Sequence, residues 1–201
     1  MTISSEPADV IDRLVGVRAG DPIDVLRAER PAAKANAQAS YEALFAPAQP
    51  GDISPAERFA VAAWVAYLSQ APAVADFYRG HLTAVAPAIA AAVDAAVAGA
   101  VTSGPYGTYP AGPLSAEDVQ GPHWQPDADL RAAVGDRLAR ALAHAHLLTY
   151  RPRDASPGAL QDLVDAGWST TGIVTLSQLI AFVHFQLRVV AGLTVLAGAR
   201  R

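Results

Sequence analysis

The stretch Ser54-Pro-Ala-Glu-Arg-Phe-Ala-Val-Ala-Ala-Trp-Val-Ala-Tyr-Leu-Ser-Gln-Ala-Pro-Ala-Val-Ala-Asp-Phe-Tyr78 reads as two helices and the tight turn between them. Ser54 followed three positions later by Glu57 is a capping box, and Pro55 stands at the first helical position, where its missing N–H is no loss. Val61, Trp64 and Leu68 then recur at about 3.6-residue spacing, so one face of the first helix is apolar. Pro72 cannot continue that helix and starts the next.

Working outward, the helical segments follow the same period. Before the pair, a helix over about 8–17 carries Val10, Ile11, Leu14 and Val15 on one side and ends in Gly16 to Gly20. A second runs from Pro22 to about Phe45, broken or kinked at Pro31, and Pro47, Pro50 and Gly51 form a turn cluster. After the pair, the Pro72 helix is expected to run on to about Val101. Residues 102–127 form a Gly/Pro/Tyr-rich insertion without periodicity. Asp127 or Asp129 starts a helix to Tyr150, Ser156-Pro157 a short one ending at Gly167, and Ser169 caps the last, to about Ala199. No segment shows sustained period-2 alternation bounded by hairpin turns. The expectation is an all-α multi-helical bundle of about seven helices in a single domain, 1–201. It comprises N-terminal helices over 8–45, a core helix pair over 54–101, the loop insertion 102–127 and closing helices over 128–199.

Composition agrees. The 201 residues are 52% hydrophobic and 17% charged, and much of the hydrophobic share is alanine, which favours helix and excludes a largely disordered chain. Net charge is −4 with no basic tract, so no nucleic-acid partner is expected. The absence of cysteine removes disulfides, thiolate metal sites and thiol nucleophiles at once. Met1 to Asp12 bears Glu6, Asp9 and Asp12 and lacks the order of a signal peptide. Of two apolar stretches, Thr83 to Val101 contains Pro87 and Asp94. Ile173 to Ala199 contains Ser177, Gln178, His184, Gln186 and Arg188, and a central Arg costs roughly 2.5–3.5 kcal/mol on insertion. Both are read as helices of a soluble core or subunit interface, with no membrane partner and a cytoplasmic location.

The Ser54–Tyr78 stretch resembles the core helix pair of the carboxymuconolactone decarboxylase / AhpD-like alkylhydroperoxidase superfamily, a capped helix, a turn bearing Cys-x-x-Cys and a second helix. The run from Leu138 to Leu193, LARALAHAHLLTYRP…LQDLVDAGWSTTGIVTLSQLIAFVHFQLRVVAGL, is similar to the closing half of that family's peroxidase-related members. Together the two regions cover about two-thirds of the chain. The resemblance implies an AhpD-like fold. It also implies that the family's relay Glu falls on Phe59, its two cysteines on Ala71 and Val74, and its His on Tyr78, all four replaced. Peroxide reduction by that route needs a thiolate to attack the O–O bond and a second thiol to resolve the sulfenic acid, and this chain has neither.

Other residues carry groups suited to chemistry. Glu57 is accounted for by its cap. Tyr78 is a candidate proton donor, against the simpler reading of a half-buried phenol hydrogen-bonded to a carbonyl. His144 and His146 point about 200° apart on a helix and do not make a metal pair. His81 and His123 are read as solvent-facing or interfacial. In the last helix Ser177, His184 and Arg188 fall on one stripe; the first two lie about 10 Å apart along the axis, too far for a nucleophile and base. His184 and Arg188 lie about 6 Å apart and suit one anionic group, which makes the three a candidate carboxylate-binding set. Against the family signature, His184 takes the place of its first Asn and Arg188 matches its Arg. Tyr106, Tyr109 and Trp124 in the insertion are candidates to cover a pocket or to arm an interface.

The resulting expectation is a Cys-less AhpD-like protein without thiol peroxidase activity, a small-molecule-binding or accessory scaffold. It needs no cofactor or metal, and a Cys-containing homologue is its natural partner. The alternative is an acid–base enzyme, a decarboxylase or isomerase acting on a small carboxylated lactone or ring-cleavage product, with Tyr78 or His184 as its catalytic residue. The apolar circumference of the Ile173–Ala199 helix predicts a homo-oligomer, a dimer or trimer-based assembly.

Overall fold

The computed structural model describes residues 9–199. Glu6, the expected helix start at Ala8 and the two ends of the 1–201 domain lie outside them. Within them the chain is all-α, with no strand beyond one isolated bridge between Gly107 and Val119. Helix α1 (Val10–Val15) is capped by the Asp9 carboxylate, which accepts from the N–H groups of Ile11 and Asp12, and ends at Gly16 in the left-handed region (φ 75°). The expected Pro22–Phe45 helix is two helices, α2 (Pro22–Ala28) and α3 (Pro31–Phe45), separated at Pro31.

Helix α4 (Pro55–Leu68) has both arms of the Ser54–Glu57 capping box. After a turn with Gln70 at φ 54°, α5 begins (Pro72–Val85). The expected continuous run from Pro72 to Val101 is corrected here, because α5 stops and α6 (Pro87–Ala100) starts afresh. Pro87 has no N–H to give and its ring forces Ala86 out of the helical region, to φ −155° and ψ 72°. The chain closes with α7 (Ala128–Tyr150), interrupted at Gly135 (φ 79°), then α8 (Pro157–Asp165) and α9 (Thr170–Ala199). Asp127 caps α7 through Leu130 N–H, and Ser169 caps α9 through Gly172 N–H.

The enclosed helix is α4. Every residue from Arg58 to Ala66 is buried, and the alanines at 60, 62, 63 and 66 let neighbouring helices approach from all sides. It meets α3, α5, α6, α7 and α9, and Trp64 Nε1 donates to the Leu142 carbonyl of α7 at 3.0 Å. Arg58, buried in the first part of the same helix, donates to the carbonyls of Leu44, Pro50 and Ile53 and so fixes the Pro/Gly turn onto α4. Helix α9 packs on α1, α2, α3, α4, α7 and α8. It is long and apolar enough to cross a membrane, but its contacts are those of a helix in a bundle. Val174, Phe185, Val195 and Leu196 remain exposed along it. At the N-terminal end Asp9 and Asp12, both buried, bind Arg27 of α2, and Asp12 also holds Lys34 of α3 at 2.6 Å.

Candidate functional site

The four positions that the family resemblance marks lie around the α4–α5 turn, and apolar rings occupy the space between them. Ala71 precedes α5, Val74 is in its first turn and Tyr78 one turn on, while Phe59 faces them from α4. Phe45 from the end of α3 enters the group. Its ring lies 5.0 Å from Tyr78 and 5.5 Å from Phe59, stacked on both, and His81 stacks on Phe59 at 4.9 Å. His81 is thus half-buried in an aromatic cluster, which corrects the solvent-facing half of the solvent-facing-or-interfacial expectation. Burial pushes its pKa down, and the nearby Arg13 adds to the shift.

Tyr78 is 0% exposed, more buried than the half-buried phenol expected. Its hydroxyl donates at 2.6 Å to Oε1 of Gln186, so the carbonyl is a side-chain amide from α9. Burial holds the phenol well above its ordinary pKa, with Tyr41 adding to the shift, so it does not release its proton near neutrality. Gln186 Nε2 is buried without a hydrogen-bond partner. Neither Phe45 nor Gln186 was marked by the sequence, because the hydrogen bond joins positions 108 residues apart and no local pattern signals it.

The α9 stripe is divided between different neighbours. His184, half-buried, lies with Nε2 3.2 Å from Thr149 Oγ1 of α7, and its pKa is lowered by burial and then by Arg188. Arg188 is exposed and donates to the His184 backbone carbonyl at 2.9 Å, so its guanidinium turns back onto its own helix. Ser177 is half-buried two turns earlier. Glu57, besides its cap, accepts from Arg137 Nε at 2.8 Å, and the same guanidinium holds the carbonyls of Asp52 and Gly167.

A second site was not visible in the sequence. A cleft of about 190 Å³ lies where α7 and α8 meet the last part of the insertion. Arg140, His144, Leu147 and Arg151 line it at i, i+4, i+7 and i+11, one face of α7 and its end. Trp124 and Gln125 come from the insertion and Asp162 from α8. The two α7 histidines differ sharply. His146 lies 3.1 Å from the Ala100 carbonyl, with Trp124 stacked at 5.4 Å and Tyr150 edge-on at 4.9 Å. His144 is buried, and neither of its ring nitrogens has a partner. Leaving a buried polar group unpaired costs about 1–3 kcal/mol. Burial lowers the pKa of both rings, which keeps them neutral at pH 7. No group of three or more His, Cys, Asp or Glu residues suited to a metal occurs among the described residues.

The insertion that roofs this cleft is pinned rather than structureless. Tyr106 N–H donates to the Tyr150 carbonyl at 2.6 Å, and Arg151 donates to the Gly121 carbonyl at 2.8 Å. Arg153 holds the Glu117 carbonyl and covers the Tyr109 ring at 4.3 Å. At Gly121 a Cβ would sit 2.3 Å from the Tyr106 ring, so only glycine allows this approach. Trp124 packs on Trp64 of α4 at 5.0 Å. Of the three insertion aromatics, Trp124 covers core and cleft, while Tyr106 and Tyr109 are anchors. No protein-family model, no curated protein and no solved structure matches this chain.

Proposed function

We propose that this chain is a Cys-less relative of the AhpD-like / carboxymuconolactone decarboxylase superfamily that has given up thiol peroxidase chemistry and acts in the cytoplasm as a small-molecule-binding or accessory protein, alongside a Cys-containing homologue. The observation that carries this reading is the aromatic filling of the α4–α5 turn. Phe45, Phe59 and Tyr78 stack where the resemblance would put a proton relay, leaving Tyr78 sealed from solvent. A sealed phenol bonded to an amide has no access to substrate, which argues for a scaffold over the acid–base alternative at this turn.

Two measurements test it. Purified metal-free protein should reduce no alkyl hydroperoxide with a dithiol reductant above a heat-killed control; turnover would overturn the reading. The double variant Ala71→Cys/Val74→Cys should form an intramolecular disulfide under mild oxidant, because the two positions bracket the α5 N-terminus. Thiols that stay titratable in the folded protein would break the alignment.

The same reading includes self-association through α9. Phe185, 46% exposed, forms part of the wall of a largely apolar groove of about 420 Å³, with Leu26, Ala37, Val189 and Leu193, and Arg30 and Lys34 also line it. An exposed ring in the wall of an apolar groove gives one patch that can meet its own copy, as a two-fold contact requires. Light scattering should return a multiple of the chain mass, and Phe185→Asp should return the monomer. Leu187 is 7% exposed and belongs to the monomer core, so Leu187→Asp unfolds the chain instead.

A further inference from the structure

We propose that the cleft between α7, α8 and residues 121–125 binds a small organic monocarboxylate, gripped by Arg140 and His144. Size sets the scale. At about 30 Å³ per liquid water, 190 Å³ holds roughly six waters, below the ~300 Å³ at which drug-sized pockets begin. A ligand of this volume has one charged group and a short body.

Charge decides the head group. Arg151 is already occupied, by Asp154 at 2.6 Å and the Gly121 carbonyl at 2.8 Å. Arg140 has only long contacts, 3.3 Å to Gln125 Oε1 and 3.6 Å to the Asp162 carboxylate, which is 57% exposed at the rim. One loosely held guanidinium matches one carboxylate, and the neighbouring Asp162 opposes a dianion such as phosphate. His144 supplies the second contact. It lines the cleft and is buried, and neither ring nitrogen has a partner or touches solvent, so a turn of the imidazole toward the cleft brings an unclaimed N–H to a ligand oxygen. Ala143, Leu147 and the edge of Trp124 offer apolar surface for the ligand body.

This site is independent of the family reading. Failure of the cysteine transplant leaves it standing, and its own failure leaves the filled turn unaffected. The test is calorimetric titration of the full chain with benzoate, butyrate, inorganic phosphate and chloride at fixed ionic strength. Benzoate or butyrate should bind saturably at one site per chain, and phosphate at least about tenfold more weakly. Arg140→Gln and His144→Leu should each weaken carboxylate binding by about tenfold or more. Arg79→Gln, whose side chain pairs with Asp94 elsewhere, should change nothing. Circular dichroism establishes that each variant is folded; Arg140 is only partly buried, so its variant carries the test if His144→Leu does not fold. Three results would overturn the proposal: no saturable carboxylate binding up to about 10 mM, phosphate binding as tightly as benzoate, or unchanged affinity in folded Arg140→Gln.

Discussion

The α4–α5 turn and the α7–α8 cleft both carry ionisable rings inside the bundle, but they are finished in opposite ways. At the turn, Phe45 and Phe59 fill the volume around Tyr78, whose hydroxyl is satisfied by Gln186, and the unpartnered Gln186 Nε2 is sealed in with no open space around it to take a ligand. At the cleft, the volume stays open and His144 keeps two unpartnered nitrogens. Filling and hydrogen bonding stabilise a fold, whereas an open, unsatisfied polar site costs stability and persists where something else occupies it. The comparison supports the proposal of a scaffold role for the turn and of a binding role for the cleft.

The sharpest break of this contrast is Phe45→Ala. It removes the ring that stacks on both Phe59 and Tyr78 and should cost about 3–5 kcal/mol in urea unfolding. A loss under about 1 kcal/mol would mean the turn is loosely packed and still able to admit a ligand. Tyr78→Phe keeps the ring but leaves Gln186 without its one partner; about 1–3 kcal/mol should be lost with no change in carboxylate binding. His144→Leu should move stability the other way. Replacing a buried unpaired imidazole by an apolar side chain should gain roughly 0.5–2 kcal/mol while weakening binding, and a large loss would show that His144 has a structural partner.

The smallest effect is a pH dependence that both regions share. His81, His144, His146 and His184 all have pKa values lowered, chiefly by burial. The unfolded chain, whose histidines titrate near 6.5, then binds more protons than the folded one as pH falls through that value. Stability should be flat above about pH 7.5 and decline on acidification from about 6.5 downward. The Asp52 carboxylate, lowered mainly by its Ser169 hydrogen bond, loses its contribution only below its ordinary value of 3.8, so it does not enter this window. His144→Leu should reduce the slope of the melting temperature between about pH 7 and 5.5, and an unchanged slope would mean His144 does not resist protonation.

Much of the architecture was legible because its signals are local. The Ser54–Glu57 box, the Asp127 and Ser169 caps and the break at Pro31 each depend on residues within one helical turn, and all appear as read. The split at Pro87 uses an equally local signal, but the alanine run on both sides hid it. Helix α9 carries a signal of another kind. Its apolar circumference marks a helix covered on more than one side, while the centre of the bundle is α4, whose small side chains let its neighbours close in. Hydrophobicity counts transfer energy, while centrality also depends on how closely backbones approach.

The sequence by itself determined that this is a helical bundle, where most of its helices begin, and that thiol chemistry is impossible in it, since these follow from periodicity, capping and the absence of cysteine. Tertiary structure alone decided which polar groups are satisfied. Tyr78 finds Gln186 across 108 residues, Glu57 finds Arg137 across 80, and Asp9 and Asp12 find Arg27, whereas His144, two residues from well-held His146, finds nothing. The reason is directional: two residues apart on a helix, side chains face opposite neighbours, and what those neighbours are is fixed only when the helices pack.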